Sequence, residues 1–234
     1  MPSPNRAPIS RHPAGRLLLR LELTPMNQLT PGGLEAASMH RPNQRALAKL
    51  RTREKILAAA KALFAEHGYE AATIRDIARQ AGMSTGAVFA SFTDKSDLFT
   101  EIAETEQTEL NAAMRAAAGD LTGRAAVVAM LDVAADRHLR ELALFQAVMS
   151  ALWTPGLAER ARRRLDRRPP TALIAAALGA EIGCPEGQGV VAEMIWDGYV
   201  ALIRRAALGG LTPEAVKARM RDQVRTVLAG FRRK

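Results

Sequence analysis

The stretch Thr73-Ile-Arg-Asp-Ile-Ala-Arg-Gln-Ala-Gly-Met-Ser-Thr-Gly-Ala-Val-Phe-Ala-Ser-Phe92 decides the fold of this chain. It opens with a threonine three residues ahead of an acid, Asp76, the pattern of a helix start in which a side-chain oxygen meets a free backbone amide. Ile77 and Ala78 form the inward side of the short helix that follows, which runs to Gln80 and stops at Ala81-Gly82. Gly82 supplies the left-handed backbone that a tight turn needs. Ser84 then caps a second short helix through Ala90. Met83, Val88 and Phe92 turn to the core, and Ser84, Thr85, Gly86 and Phe89 stay outside. Two short helices joined this briefly form a helix-turn-helix. The second, with its small outward residues, can lie deep in the major groove of DNA, and backbone N–H groups at its start favour phosphate.

The same periodicity extends both ways. Upstream, Ile56, Leu57, Ala60, Leu63 and Phe64 share one face of a helix running from Arg45 to His67, with Gly68 as its stop. Downstream, Asp94 caps a helix that carries Asp97 three residues on and continues to about Ala117. After Gly119 further helices are expected near 122–139, 141–152, 157–166, 171–178, 189–208 and 213–231. Thr154-Pro155-Gly156, Pro169-Pro170, the stretch 183–187 and Gly209-Gly210 separate several of them, and Pro213 makes a good first-turn proline. The chain is rich in alanine, leucine and arginine, with few β-branched runs that alternate with polar residues, so the expected fold class is all-α. Residues 1–40 are rich in Pro, Gly, Ser and Arg with no sustained period. They read as a disordered or loosely ordered extension, and Met26 and Met39 compete with Met1 as the natural start.

Charge and composition narrow the function classes. The 234 residues carry a net charge of +9, and residues 41–100, with 10 basic and 6 acidic groups, are the most basic per residue. A polyanion-binding region fits that balance. Cys184 is the only cysteine, so neither an intrachain disulfide nor a cysteine zinc cluster can form. Leu17–Leu19 with Leu21 and Leu23 is too short and too charged to span a bilayer, and no small-residue cleavage site follows; a soluble cytoplasmic protein without a membrane partner is expected. His12, His40, His67 and His138 include no pair at metal-ligand spacing. There is no Gly-rich nucleotide loop, no Gly-x-Ser-x-Gly and no Cys/His nucleophile pattern. The expectation is therefore no enzyme, no catalytic residue, no metal and no cofactor.

From Arg51 to about Ile102 the chain resembles the tetracycline-repressor-like (TetR) family of bacterial regulators. The resemblance is carried by Arg53-Glu-Lys-Ile-Leu-Ala-Ala-Ala60, Leu63-Phe64-Ala-Glu-His-Gly68, Thr73-Ile-Arg-Asp-Ile-Ala78, Ala81-Gly82-Met-Ser84, Gly86, Phe89, Phe92 and Lys95-Ser-Asp-Leu98. It implies a homodimer, with a helix-turn-helix DNA-binding domain over 41–100 and a helical ligand-binding and dimerisation domain over 101–234. By position, Thr73 should meet phosphate, Thr85, Gly86 and Ala87 should lie nearest the base edges, and Lys95 should meet backbone phosphate. Family members often carry tyrosine where this chain has Phe89, whose contact must be apolar or to sugar.

No Arg, Asn or Gln sits within Ser84–Ser91 for a bidentate base contact, so reading leans on the methyls of Thr85 and Ala87 and on DNA shape. Arg41, Arg45, Lys49, Arg51 and Arg53 offer phosphate or minor-groove contacts, Arg45 and Lys49 foremost; the rival reading is a solvated face. Further along, Phe145, Met149 and Trp153 fall at i, i+4 and i+8, and Met194 and Trp196 open the penultimate helix. They are either plain core or the wall of a pocket for an apolar effector, with His138 and Asp197 as its polar groups. The run from Arg160 to Arg164 reads as a solvated face paired with acids. On the last two helices, Val191, Ile195, Tyr199 and Leu202, with Val216, Met220, Val224, Val227 and Leu228, offer apolar faces that two subunits could join as a four-helix bundle. A two-fold dimer implies a pseudo-palindromic double-stranded operator. The alternatives are an architectural helix-turn-helix protein with no effector, and a helical enzyme.

Overall fold

The computed structural model describes residues 44–231 except 153, 155, 166–168 and 184. All ten α-helices of the described residues follow the order read from the breakers. They are α1 (Gln44–Ala71), α2 (Ile74–Ala81), α3 (Thr85–Phe89), α4 (Lys95–Ala118), α5 (Gly123–Arg140), α6 (Leu142–Ala151), α7 (Leu157–Leu165), α8 (Pro170–Ala177), α9 (Pro185–Ala207) and α10 (Pro213–Phe231). No strand occurs among the described residues, and no helix there is long and apolar enough to cross a membrane. Gly68 interrupts α1 with φ 80° and ψ 168°, where the stop was expected. Helix α9 starts earlier than expected, at Pro185, because that proline fits a first turn, where its missing N–H costs nothing. The extension over residues 1–40, the choice of start codon and Cys184 lie outside the described residues.

Two hydrophobic clusters hold these helices. The first is the head: Ile56, Ala60, Leu63 and Phe64 of α1 close on Ile77 and Ala78 of α2, Val88 of α3, Phe92, and Leu98, Phe99, Ile102 and Ala103 of α4. At its centre Phe64, Tyr69 and Phe99 stack with centroids 5.1 to 6.1 Å apart. The second cluster joins the lower half of α4 (Leu110, Met114, Ala118) to α5, α8, α9 and α10.

The boundary expected at residue 100 falls inside one continuous helix, α4, which belongs to both clusters. Helix α6 is divided likewise. Its Ala147 and Ala151 join the head cluster, while its Phe145 and Met149 join the other. Nothing in the local sequence marks a break in α4, because the same 3.6-residue period runs through both halves.

The face offered for dimerisation needs correction. Val191, Ile195 and Tyr199 of α9 and Val216 and Val224 of α10 are fully buried within the subunit, and Leu202, Met220 and Leu228 nearly so. They bind α9 to α10 and to α5 and α8 rather than to a second copy, because a helix of a bundle turns its most continuous apolar stripe to its own core. The outward side of α9 carries Val190 and Met194, 54% and 48% exposed. Helices α9 and α10 approach closely at Gly198. Gln223 of α10 lies against that glycine and donates to the carbonyls of Met194 (3.3 Å) and Ile195 (3.2 Å); a Cβ there would come within 1.8 Å of its amide nitrogen.

Candidate nucleic-acid interface and helical cavity

The reading head is built by three caps of one design. Thr73, Ser84 and Asp94, each extended in backbone, accept from the amides of Asp76 (3.2 Å), Ala87 (3.2 Å) and Asp97 (2.8 Å). Each cap is worth about 1 kcal/mol and fixes where its helix begins. Between α2 and α3, Gly82 adopts φ 68°, ψ 36°, and Met83 N–H reaches back to the Ala78 carbonyl at 2.9 Å. Val88 is sealed in the core, while Thr85 and Gly86 are exposed, Ala87 half-buried and Phe89 56% exposed. Thr73 and Ser84 are exposed beside them, and Arg45 and Lys49 are exposed on the first turns of α1. The helix-turn-helix thus turns outward the small residues its sequence offered.

Two basic residues do something the sequence did not foretell. Arg53 turns inward: it pairs with Glu101, donates to the Ser91 carbonyl at 2.6 Å and covers the Phe92 ring at 4.1 Å, clamping α1 to the end of α3 and to α4. It is engaged within the protein rather than offered to phosphate. Lys95 donates to the carbonyls of Tyr69 (2.8 Å) and Glu70 (3.2 Å) and sits 4.3 Å above the Tyr69 ring. It ties α4 to the end of α1 whatever else it meets.

A cavity of about 510 Å³ opens between α4, α5, α6 and α9, with Leu165, Pro169 and Pro170 along its edge. That volume suits a small molecule. Its wall is largely apolar, including Leu110, Phe145, Val148, Met149, Trp196 and Val200, with Glu106, Gln107, Arg137, His138 and Glu141 as polar members. Four of the residues singled out in the sequence, His138, Phe145, Met149 and Trp196, meet here; Trp153 lies outside the described residues. Asp197 does not belong to the wall and is exposed. The 100° step along a helix turns it away from Trp196 toward the outward side of α9, where Met194 lies. Met194 is likewise off the wall.

His138 Nδ1 lies 2.7 Å from the Tyr199 hydroxyl, and its ring packs on Phe145 at 4.4 Å and near Trp196 at 6.5 Å. Burial, then the positive charge of Arg137, pushes the imidazole down from 6.5 to about 4, so the ring is neutral at physiological pH. Burial pushes the Tyr199 phenol up, and it keeps its proton.

The sequence reading missed the charged side of the cavity. Glu106 accepts from Lys61 of α1 and from Arg137 of α5, each at 2.7 Å. Lys61 also pairs with Glu141 at 2.9 Å, and Arg137 with Glu109 at 2.5 Å. Burial alone would raise the Glu106 carboxyl, but these two cations hold it below its ordinary value. The five groups come from α1, α4, α5 and the α5–α6 corner, so no spacing along the chain announces their meeting. Within the run from Arg160 to Arg164, Arg160, Arg163 and Arg164 pair with acids as expected. Arg160 reaches the Asp94 cap at 3.0 Å and Ser96 at 2.6 Å, and Arg163 pairs with Glu159 at 3.0 Å. Burial would raise the Asp94 carboxyl, but bonds from Ser96, the Asp97 amide and Arg160 bring it down to about 2. No cluster of metal-ligating side chains occurs among the described residues.

Residues 56–102 match the family model of bacterial regulatory proteins, tetR family. The HTH-type transcriptional repressor AcnR of Corynebacterium diphtheriae is 43% identical over 58 residues, which is 25% of this chain and 30% of that one. The match thus spans less than a third of the repressor's length. Among solved structures, the fatty acid degradation regulator FadR of Bacillus halodurans superposes with a TM-score of 0.62 at 18% identity, over 78% of this chain and 97% of that one. Thermus thermophilus FadR, solved in complex with lauroyl-CoA, gives 0.60 at 22% identity over 78% and 96%. Those two likenesses are of fold.

Proposed function

We propose that this chain is a ligand-responsive repressor of transcription of the tetR family, whose model matches residues 56–102. It binds a pseudo-palindromic operator as a homodimer in the cytoplasm and leaves it when a small molecule enters the cavity. The observation that carries this reading is the join between cavity and head. Lys61, a head residue, holds Glu106 and Glu141 on the cavity wall. Helix α6 lines the cavity with Phe145 and Met149 and packs Ala147 and Ala151 into the head cluster. A molecule that fits best with α6 or Glu106 displaced favours a different placement of the head, and so shifts the population away from the DNA-binding form. The lauroyl-CoA complex of Thermus thermophilus FadR supports reading this cavity as a small-molecule site.

On the DNA side, Thr85, Gly86 and Ala87 read base edges. Thr73, Ser84, Arg45 and Lys49 face phosphates, and Phe89 packs on sugar or a thymine methyl. Lys95 positions the start of α4 through Tyr69 and Glu70 and presents what remains of its ammonium to the backbone. The two subunits join through the outward side of α9, with Val190 and Met194, and the adjoining side of α10. The chain is a regulator and not an enzyme.

The test is fluorescence anisotropy on duplexes selected by the protein from its own genome. A selected duplex should bind roughly 10³-fold or more tighter than random duplex at equal salt, with affinity falling steeply as salt rises. Equal binding to random duplex favours the architectural reading, and no binding to any duplex removes DNA from the account.

A further inference from the structure

The polar equipment of the cavity specifies the chemistry of what enters it. Tyr199 is fully buried, and His138 Nδ1, 2.7 Å away, is the partner of its hydroxyl. A buried hydroxyl that only accepted would leave its own proton without a partner, at a cost of about 1–3 kcal/mol. The hydroxyl therefore donates, Nδ1 accepts, and the ring proton sits on Nε2. No protein group among the described residues accepts from Nε2, and it is not among the sealed polar atoms that lack a partner. His138 lines the cavity beside Phe145 and Trp196, and with Nδ1 turned to Tyr199 the Nε2–H is the ring group left for it.

The charged groups are answered already. Glu106 has Lys61 and Arg137, Glu141 has Lys61, and Arg137 has Glu106 and Glu109. An anion entering here would face two carboxylates and a guanidinium committed to two others. A cation would displace an existing pair. Either would be buried without a matched partner, which is costly. The Gln107 amide already donates to the Leu165 carbonyl at 2.8 Å; among the described residues, what remains is a largely apolar volume and the neutral, directed donor of His138.

We propose that the effector is an uncharged, mainly apolar molecule whose carbonyl oxygen accepts from His138 Nε2, with Tyr199 as the positioning residue that holds the imidazole in that tautomer. This rests on reading the cavity as the effector site.

The test uses three probes of one chain length and different head groups: 2-undecanone, undecanoate and undecylamine. Binding to the full chain is followed by Trp fluorescence and calorimetry, and operator release by anisotropy. The ketone should bind at least tenfold tighter than either charged probe and release the operator. His138→Phe should weaken the ketone about tenfold, the worth of one directed hydrogen bond, with selected-operator affinity retained. Should that variant fail to fold, Tyr199→Phe gives the independent reading. ¹⁵N-histidine NMR should show the proton of His138 on Nε2 in the parent chain and shared between both nitrogens in the variant, with ketone affinity down a few-fold. A charged probe binding tightest, ketone affinity indifferent to His138→Phe, or a proton found on Nδ1 in the parent chain overturns the proposal while leaving the effector site standing. Failure of all three probes to bind a chain that still binds operator overturns the effector-site reading itself, and the proposal with it.

Discussion

At the scale of single residues, the outward side of α3 presents small groups. The exposed side of α3 offers the methyls of Thr85 and Ala87 and the ring of Phe89, with no long polar side chain. Contacts of that kind fit thymine C5-methyl groups. Replacing the thymines under α3 by uracil in a selected operator should weaken binding about fourfold per contacted methyl, taking about 0.8 kcal/mol per buried carbon. Ala87→Gly should erase the difference at its own base, and anisotropy with the four combinations checks it. Inside, His138 binds its proton less well when folded than when unfolded. Its contribution is fully present above about 6.5 and is lost as pH falls through about 4. The parent chain should lose about 3 kcal/mol from this group over that window, and His138→Phe should flatten that part of the profile of Tm against pH. Arg53 and Lys95 show why residue roles are less legible than residue positions. Both sit where a phosphate contact was expected, yet each has an aromatic ring and at least one carbonyl within reach that appear only once α1 is folded against α3 and α4.

At the scale of elements the sequence was nearly transparent, because helix starts and stops are local chemistry. Thr73, Ser84 and Asp94 each accept from an amide three residues on, and Gly82 turns the chain, just as the spacing of polar and apolar residues requires. Ser84→Ala should remove one cap bond, about 1 kcal/mol, and lower Tm by about 2–4 °C. Operator affinity should fall more than stability does, because the start of α3 loses its fixed position. Calorimetry and anisotropy on one preparation separate the two. Which face of α9 or α10 turns inward was not local. Val190 and Val191 are neighbours of identical chemistry, and only the packing of α5, α8 and α10 around α9 buries the second and exposes the first.

At the scale of the whole molecule that difference becomes an assembly prediction. Met194→Glu places a charge on an exposed side chain and should leave the melting curve nearly unchanged. It should also convert dimer to monomer in light scattering and weaken operator binding. Ile195→Glu, one residue on and fully buried, should unfold the subunit instead. If Met194→Glu stays dimeric, the subunits meet elsewhere. The cavity was only half legible for a related reason. Its apolar residues repeat along single helices and can be counted off, whereas its ion pairs join α1, α4, α5 and the α5–α6 corner.

Helix α6 answers to two masters. Ala147 and Ala151 fit the head, and Phe145 and Met149 fit the cavity, within three turns of one helix. Such a protein is less modular than its diagram. A chimera that exchanges residues 44–100 for a relative's head would set a foreign α1 against a resident α6. Grafts that carry the head-facing positions of α6 along with the head are the ones that should keep both binding and response.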